Sequence, residues 1–296
     1  MKDLLSQIKP LTPIHTEIKE ELPVLDDIQC VIFDIYGTLV ISASGDIGST
    51  ELVGHAALKA FEFCETPLTT QKPKEEVGKR IIDLYTDAIK SSHAESKQKG
   101  ILYPEVNIIK IWETVISKLK TESILNPKLN IDPEQIAFCF EFFENAIYPM
   151  PNLKETLEWI QQQKKPLGII SNAQFFTPKF LNHFLQNAFE KHELPYFDPE
   201  LIIYSYELGF AKPDTELYYL MSEKVEDKDL EPKQCLYIGN DMLNDIAPAK
   251  EAGFKTCLFA GDKRSLRLRE DHPRCKNIKP DAIIKDLSQL KTLLGQ

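Results

Sequence analysis

Seven residues are of types that could do chemistry together: Asp34, Thr38, Ser171, Asn172, Lys212, Asp241 and Asp245. Each lies at or just beyond the carboxyl end of a short apolar run, or, for Lys212, in the loop that follows one. The carboxyl ends of parallel strands in one sheet lie side by side, so the fold would gather these groups. The resulting cluster holds carboxylates, a pair of hydroxyls and one ammonium. Phosphoryl transfer needs that set: a nucleophile, a cation to offset charge, and donors to hold oxygens. A carboxylate attacking phosphorus gives an aspartyl-phosphate, which water later clears. Paired carboxylates in oxygen-rich surroundings suit Mg²⁺, which uses few protein carboxylates and keeps several waters.

The elements that must position these groups are legible in the hydrophobic pattern. CVIFDIYGTLV contains a run rich in β-branched and aromatic residues, too short for a helix, and it reads as a buried strand ending at Asp34. PLGIIS, LIIYS, QCLYIG, FKTCLFA and DAII read as further strands. They alternate with the helical stretches NLKETLEWIQQQKK, TPKFLNHFLQNAFE, TELYYLMSEK and IAPAKEAG. Such alternation predicts an α/β fold with a doubly wound parallel sheet. Between its first two strands lie ELVGHAALKAFEFC, EEVGKRIIDLYTDAIK, EVNIIKIWETVISKLK and PEQIAFCFEFFENAIY, each with apolar residues three and four apart. They predict an inserted α-helical domain over 42–148. The core then comprises 28–41 and 149–296, and 1–27 is a polar extension punctuated by Pro10, Pro13 and Pro23.

Composition narrows the function. The net charge of −10 offers no basic face to a phosphate backbone, so no nucleic acid is expected as a partner. No run reaches the roughly 18 apolar residues needed to span a bilayer, and the first residues lack a secretory apolar core, so no membrane partner is expected. Six cysteines without a CxxC pair read as reduced thiols, which predicts a cytoplasmic protein. The six histidines (15, 55, 93, 183, 192 and 272) show no metal-ligand spacing and read as surface or cap residues. The basic run KRSLRLR at 263–269 reads as a solvated face. Trp112 and Trp159 read as packing, and Arg80 has no spacing that makes it a substrate contact.

DIYGTL at 34–39, IISNA at 169–173, ELGFAKPD at 207–214 and YIGNDMLND at 237–245 resemble the four ordered motifs of the haloacid dehalogenase superfamily. The resemblance covers the core, with its Rossmann-like sheet. The helical insertion sits where that superfamily places its first type of cap. It implies a hydrolase of a small-molecule substrate in which Asp34 is the nucleophile and a Mg²⁺ ligand. The backbone carbonyl of Tyr36 would be a second ligand, Asp241 would complete the metal site, and Asp245 would stand in its outer shell. Thr38 and Ser171 would hold the transferred group, Asn172 would help orient it, and Lys212 would balance charge. A small phosphorylated metabolite is the implied substrate.

The chain departs from the resemblance twice. Most phosphatases of the superfamily carry a second Asp where this chain has Tyr36, and a phenol with a pKa of about 10 is a poor acid–base at neutral pH. Tyr at that place is typical of the 2-haloacid dehalogenases, which need no metal. The fourth motif has Asn240 directly after its glycine, with Asp241 and Asp245 displaced by one residue. Asp245 could also be only the N-cap of IAPAKEAG. Two alternatives to the metal-dependent phosphatase therefore stand: a metal-independent 2-haloacid dehalogenase, and a catalytically weak binding or regulatory protein of the same fold.

Overall fold

The structure is a computed structural model that describes residues 2–43, 54–186 and 194–295. Parts of two expected helices, Glu51–Val53 and residues 187–190, and His192 lie outside the described residues. The chain divides into two compact units. One comprises Met1–Ile8 and Asp46–Ala146, and the other Lys9–Gly45 and Ile147–Gln296.

The α/β unit is built on β1 (Cys30–Phe33), with β2 (Val40–Ser42) and β3 (Ile147–Pro149) forming a separate antiparallel ribbon. Its other strands are β4 (Leu167–Ser171), β5 (Ile202–Tyr204), β6 (Cys235–Gly239), β7 (Lys255–Phe259) and β8 (Ala282–Ile284). The sheet order is β5-β4-β1-β6-β7-β8, parallel throughout. β1 is thus central, with β4 on one side and β6 on the other. Every residue of β1, β4 and β6 is buried, as continuous apolar strands in a sheet covered on both faces must be. The chain order places strand 1 beside strands that come much later, which is where a doubly wound sheet opens a crevice at its carboxyl edge.

The ribbon was not expected. Val40 pairs with Pro149 and Ser42 with Ile147, so the two strands join positions more than 100 residues apart, at either end of the insertion. The extension is not loose either. Glu21 and Ile283 exchange backbone hydrogen bonds of 2.9 and 2.8 Å, and Thr16 Oγ1 donates to the Ala260 carbonyl at 2.6 Å. Glu21 pairs with the edge strand β8, where an open row of amides and carbonyls invites pairing with another chain. Only residues 1–8 go with the helical unit, through a four-residue helix, α1 (Lys2–Leu5), whose Leu4 and Leu5 are buried.

The helical unit contains α2 (Gly54–Phe63), α3 (Lys74–Gln98), α4 (Ile108–Thr121) and α5 (Pro133–Glu144). Asn107 and Asp132 cap α4 and α5 with their side chains, and Pro133 sits at the first position of α5, where its missing N–H costs nothing. Each helix gives an aromatic to one buried cluster, Phe61, Tyr85, Trp112 and Phe140, and α5 buries Phe138 as well. The Trp112 ring lies 5.1 Å from Phe140, 5.2 Å from Tyr85 and 6.1 Å from Phe61, centre to centre. α3 runs past its expected end at Lys90, and beyond Ala88 it adds no buried residue. Among the described residues no helix is long and apolar enough to cross a membrane.

Candidate active site

The site starts from β1. The Asp34 N–H donates to the Ile238 carbonyl at 2.9 Å, which continues the β1–β6 pairing one residue beyond the strand. The chain then turns back, with the amides of Thr38, Leu39 and Val40 all donating to the Ile35 carbonyl. Gly37 makes this turn at φ +83°, and a Cβ there would lie 2.5 Å from Ser265 Cβ and 2.8 Å from Asn240 Nδ2. No other residue meets both demands, left-handed backbone and no side chain. Asp34 is consequently fixed at the centre of the sheet edge and is buried.

Two other motifs converge on one oxygen of Asp34. Ser171 Oγ, from the last residue of β4, donates to Asp34 Oδ1 at 2.9 Å, and Lys212 Nζ donates to the same oxygen at 2.7 Å. Among the described residues Oδ2 accepts no hydrogen bond. Lys212 is held by its backbone: its N–H donates to Asn172 Oδ1 at 2.8 Å, and Asn172 Nδ2 donates to its carbonyl at 3.2 Å. Both ends of the Asn172 amide are therefore used on Lys212. Lys212 Nζ also lies 2.6 Å from Asp245 Oδ1. Burial alone would push the ammonium pKa down, but Asp245 and Asp34 overcome it and raise it to about 12. Lys212 is a fixed cation.

Asp245 is not the N-cap of the following helix. Its Oδ2 accepts from the backbone N–H groups of Asn240 and Asp241 at 3.0 and 2.9 Å, and its Oδ1 from Lys212 and Tyr237. Gly239 permits this fold-back, since a Cβ there would lie 2.4 Å from the Asp245 carboxyl carbon. Burial raises the Asp245 pKa to about 6, against the pull of Lys212. The capping residue is Asp241. Its Oδ1 accepts from the amides of Leu243 and Asn244 at the start of a π-helical turn, Met242–Ile246. Asp241 is also paired with Arg269, whose Nη2 lies 2.7 Å from Oδ2 and whose Nε lies 3.2 Å from Oδ1.

Thr38 Oγ1 donates to Asn240 Oδ1 at 3.1 Å, and Asn240 Nδ2 donates to the Ser265 carbonyl. The Tyr36 phenol meets Thr177 Oγ1 at 3.0 Å. Asp34, Ser171, Lys212 and Asp245 thus form one connected cluster with Asn172 behind it, while Thr38 is joined to Asn240 and Asp241 to Arg269.

A family model described as haloacid dehalogenase-like hydrolase matches residues 28–253. The chain belongs to the haloacid dehalogenase-like hydrolases. This hydrolase is 34% identical over 124 residues to the rhythmically expressed gene 2 protein of Drosophila melanogaster, a stretch covering 40% of this chain and 44% of that one. It is 26% identical over 152 residues to the pyrophosphatase PpaX of Oceanobacillus iheyensis, covering 51% and 63%. Both matches span less than two thirds of the curated relative. Its fold is similar to that of a 2-haloacid dehalogenase from Pseudomonas syringae pv. Tomato DC3000, with a TM-score of 0.55, 22% identity, and coverage of 90% and 98%.

The metal that this family implies does not find a donor set in the arrangement of this hydrolase. Among the described residues no three His, Cys, Asp or Glu side chains are placed to hold an ion. Both oxygens of Asp245 are taken by Lys212, Tyr237 and two amides, and both oxygens of Asp241 by Arg269 and the turn. One carboxylate oxygen, Asp34 Oδ2, is left over. Of the expected metal residues, Asp241 is therefore engaged by Arg269 and the outer-shell Asp245 by Lys212 and Tyr237.

Arg269, Ser265 and Tyr237 were missed in the sequence. KRSLRLR is no solvated face: Ser265 packs beneath Gly37, Arg264 pairs with Asp262, and the Arg267 backbone exchanges hydrogen bonds with Asn240 and Met242. The leucines and the serine interleaved with the basic residues were the available signal: Ser265 is buried, and Leu266 and Leu268 pack partly buried against Met242 and Ile246. Arg80 makes a surface ion pair with Glu122.

Proposed function

We propose that this hydrolase cleaves a small phosphorylated substrate by covalent catalysis on Asp34. The observation that carries the reading is the asymmetry of the Asp34 carboxylate. Ser171 and Lys212 hold Oδ1, and Oδ2 keeps its lone pairs for attack. Oδ2 forms a bond to phosphorus, the bond from phosphorus to the leaving oxygen breaks, and its electron pair departs with that oxygen. Water then attacks the aspartyl-phosphate, releasing inorganic phosphate and restoring the carboxylate. Lys212 offsets the negative charge brought to the site, and Asn172 keeps Lys212 in place by its backbone. Ser171 fixes the plane of the nucleophile, and Thr38 is proposed to act through Asn240 on the loop that faces the transferred group.

Tyr36 stands where an acid would protonate the leaving group, and its phenol is engaged by Thr177. Leaving groups that need no proton, such as phosphate from a phosphoanhydride, carboxylate from an acyl phosphate or nitrophenolate, are the ones this site suits. The partial similarity to a pyrophosphatase supports that class. Six unpaired cysteines support a reducing, cytoplasmic setting.

Hydrolysis of p-nitrophenyl phosphate, with and without Mg²⁺, tests the reading in the wild type and Asp34→Asn. Turnover that disappears with Asp34→Asn is expected, by roughly 10⁴-fold or more for loss of a nucleophile. Equal rates in the two proteins would end the proposal. A metal-independent 2-haloacid dehalogenase is the second reading, favoured by Tyr36, whose phenol is engaged by Thr177 at 3.0 Å where a phosphatase would carry a carboxylic acid. Asp34 would then attack carbon and expel halide, and halide release from 2-chloropropionate without Mg²⁺ would identify it.

A further inference from the structure

Asp241 and Arg269 make the one part of the site that the proposed chemistry leaves unused. The guanidinium approaches the carboxylate with two nitrogens, Nη2 at 2.7 Å from Oδ2 and Nε at 3.2 Å from Oδ1, the fork geometry that makes arginine–carboxylate pairs strong. The two oxygens differ in what else they do. Oδ1 also accepts from the amides of Leu243 and Asn244, whereas Arg269 supplies every hydrogen bond that Oδ2 accepts among the described residues. Asp241 is buried, so its charge is little screened by water, and Arg269 is its countercharge. The arginine is brought there by the loop after β7, whose Arg267 backbone pairs on both sides of Asp241, to the Asn240 carbonyl and the Met242 N–H. Arg269 itself sits at φ +50°, a left-handed conformation that arginine adopts only when its surroundings require it.

We propose that Arg269 is a built-in countercharge that closes the metal site of this hydrolase by occupying Asp241 Oδ2, so that a divalent cation binds only in competition with it. The inference rests on the reading of Asp34 as part of a hydrolytic site at which the family's cation would act. Two cations, Lys212 and Arg269, already face the three carboxylates of Asp34, Asp241 and Asp245. A divalent ion entering beside Asp34 Oδ2 would need a second carboxylate oxygen, and Asp241 Oδ2 is the one held by a single side chain rather than by backbone amides. Removing Arg269 would free Asp241 Oδ2 to hold such an ion.

Binding of Mn²⁺, followed by the spin resonance of the free ion and competed with Mg²⁺, tests this without recourse to turnover. Arg269→Gln is expected to bind Mn²⁺ at least tenfold more tightly than the wild type. Adding Asp241→Asn to that variant is expected to remove the gain. An affinity unchanged in a folded Arg269→Gln overturns the proposal, and so does a gain that survives Asp241→Asn. Arg269→Lys keeps the charge and loses the fork, so it serves if the glutamine variant does not fold. A severalfold tightening is expected there, and wild-type affinity would overturn the proposal. The p-nitrophenyl phosphate assay on the same proteins separates the two readings. Hydrolysis that needs Asp34, with Mn²⁺ affinity indifferent to Arg269, strikes only the countercharge. Tightened Mn²⁺ binding without any Asp34-dependent hydrolysis strikes only the phosphatase reading.

Discussion

The two units of the molecule bury different things. Among the described residues the α/β unit buries Asp34, Lys212, Asp241, Asp245 and Asp262, all ionisable, and all but Asp262 belong to the site. The helical unit buries Phe61, Trp112, Phe138 and Phe140 and, of polar side chains, only Thr66 and Asn145. One unit is held at its functional edge by the placement of charge, the other by the filling of volume. Interiors held by volume tolerate swaps that conserve it, since dispersion and burial are non-directional. Buried charges tolerate almost nothing, because removing one partner leaves the other uncompensated.

Lys212→Met is the most damaging test of that contrast. It leaves Asp34 and Asp245 facing each other without their shared cation, and a loss of about 3–5 kcal/mol in unfolding free energy is expected. The rate should fall as well, by roughly 10²–10³-fold, the scale of a lost electrostatic contact at a reacting centre. Chemical denaturation and p-nitrophenyl phosphate hydrolysis measure the two. Lys212→Arg should not restore either, since a planar fork cannot replace a point charge set 2.7 and 2.6 Å from two carboxylates. A variant with arginine that matched the wild type would dissolve the comparison.

Trp112 gives the matching test in the helical unit. Trp112→Ala removes the ring that Phe61, Tyr85 and Phe140 all touch, and about 3–5 kcal/mol of stability should go with it. Here the near-substitute is expected to work. Trp112→Phe keeps much of the aromatic volume and removes an indole N–H that is buried without a hydrogen-bond partner among the described residues. More than half of the loss should be recovered, read as the midpoint in urea. The contrast between Lys212→Arg and Trp112→Phe is the sharpest form of the comparison.

The same contrast explains which parts of the molecule were legible in the sequence. Apolar periodicity is local, so the α2–α5 helices and the six sheet strands could be read from windows of ten residues or so. Asp34 and Ser171 were legible because each stands at the carboxyl end of a strand signal, and Lys212 because it lies in the ELGFAKPD loop that follows one. What the carboxylates of the fourth motif do was not. Asp245 turns inward because Gly239 leaves room for it, and Asp241 turns to Arg269, 28 positions later, on a loop whose course depends on the whole sheet. The β2–β3 ribbon was hidden for a like reason: its partners are separated by the entire insertion, and each is only three residues long. Charge pairs and short strands are non-local, and a pattern within one window does not contain their partner.

Asn172→Ala tests a smaller claim, that the second motif acts through Lys212. Two hydrogen bonds to the Lys212 backbone are lost, worth about 1 kcal/mol each. The loss should appear as a fall of about tenfold in kcat with KM little changed, since the substrate itself loses no contact. A rise in KM at constant kcat would instead make Asn172 a substrate ligand, the role the motif implies.

Glu141 carries the smallest expected effect and tests whether the helical unit is as indifferent to charge as its core suggests. Burial raises this carboxyl to a pKa of about 7, against the hydrogen bond from Asn145 Nδ2, which lies 3.1 Å from Oε1. An acid whose folded pKa is raised adds stability that is complete below its unfolded value, here 4.5, and is lost as pH rises through about 7. The wild type should therefore be less stable at pH 8 than at pH 5 by this contribution, and Glu141→Gln should lessen that difference. The side chain is partly exposed at its surface, so about 1 kcal/mol is expected rather than the full worth of the shift. Glu141→Gln should raise the melting temperature at pH 8 and leave it nearly unchanged at pH 5. A variant that lowers it at pH 8 would mean that the ionised carboxylate is held by a partner, and that this unit too relies on the placement of charge.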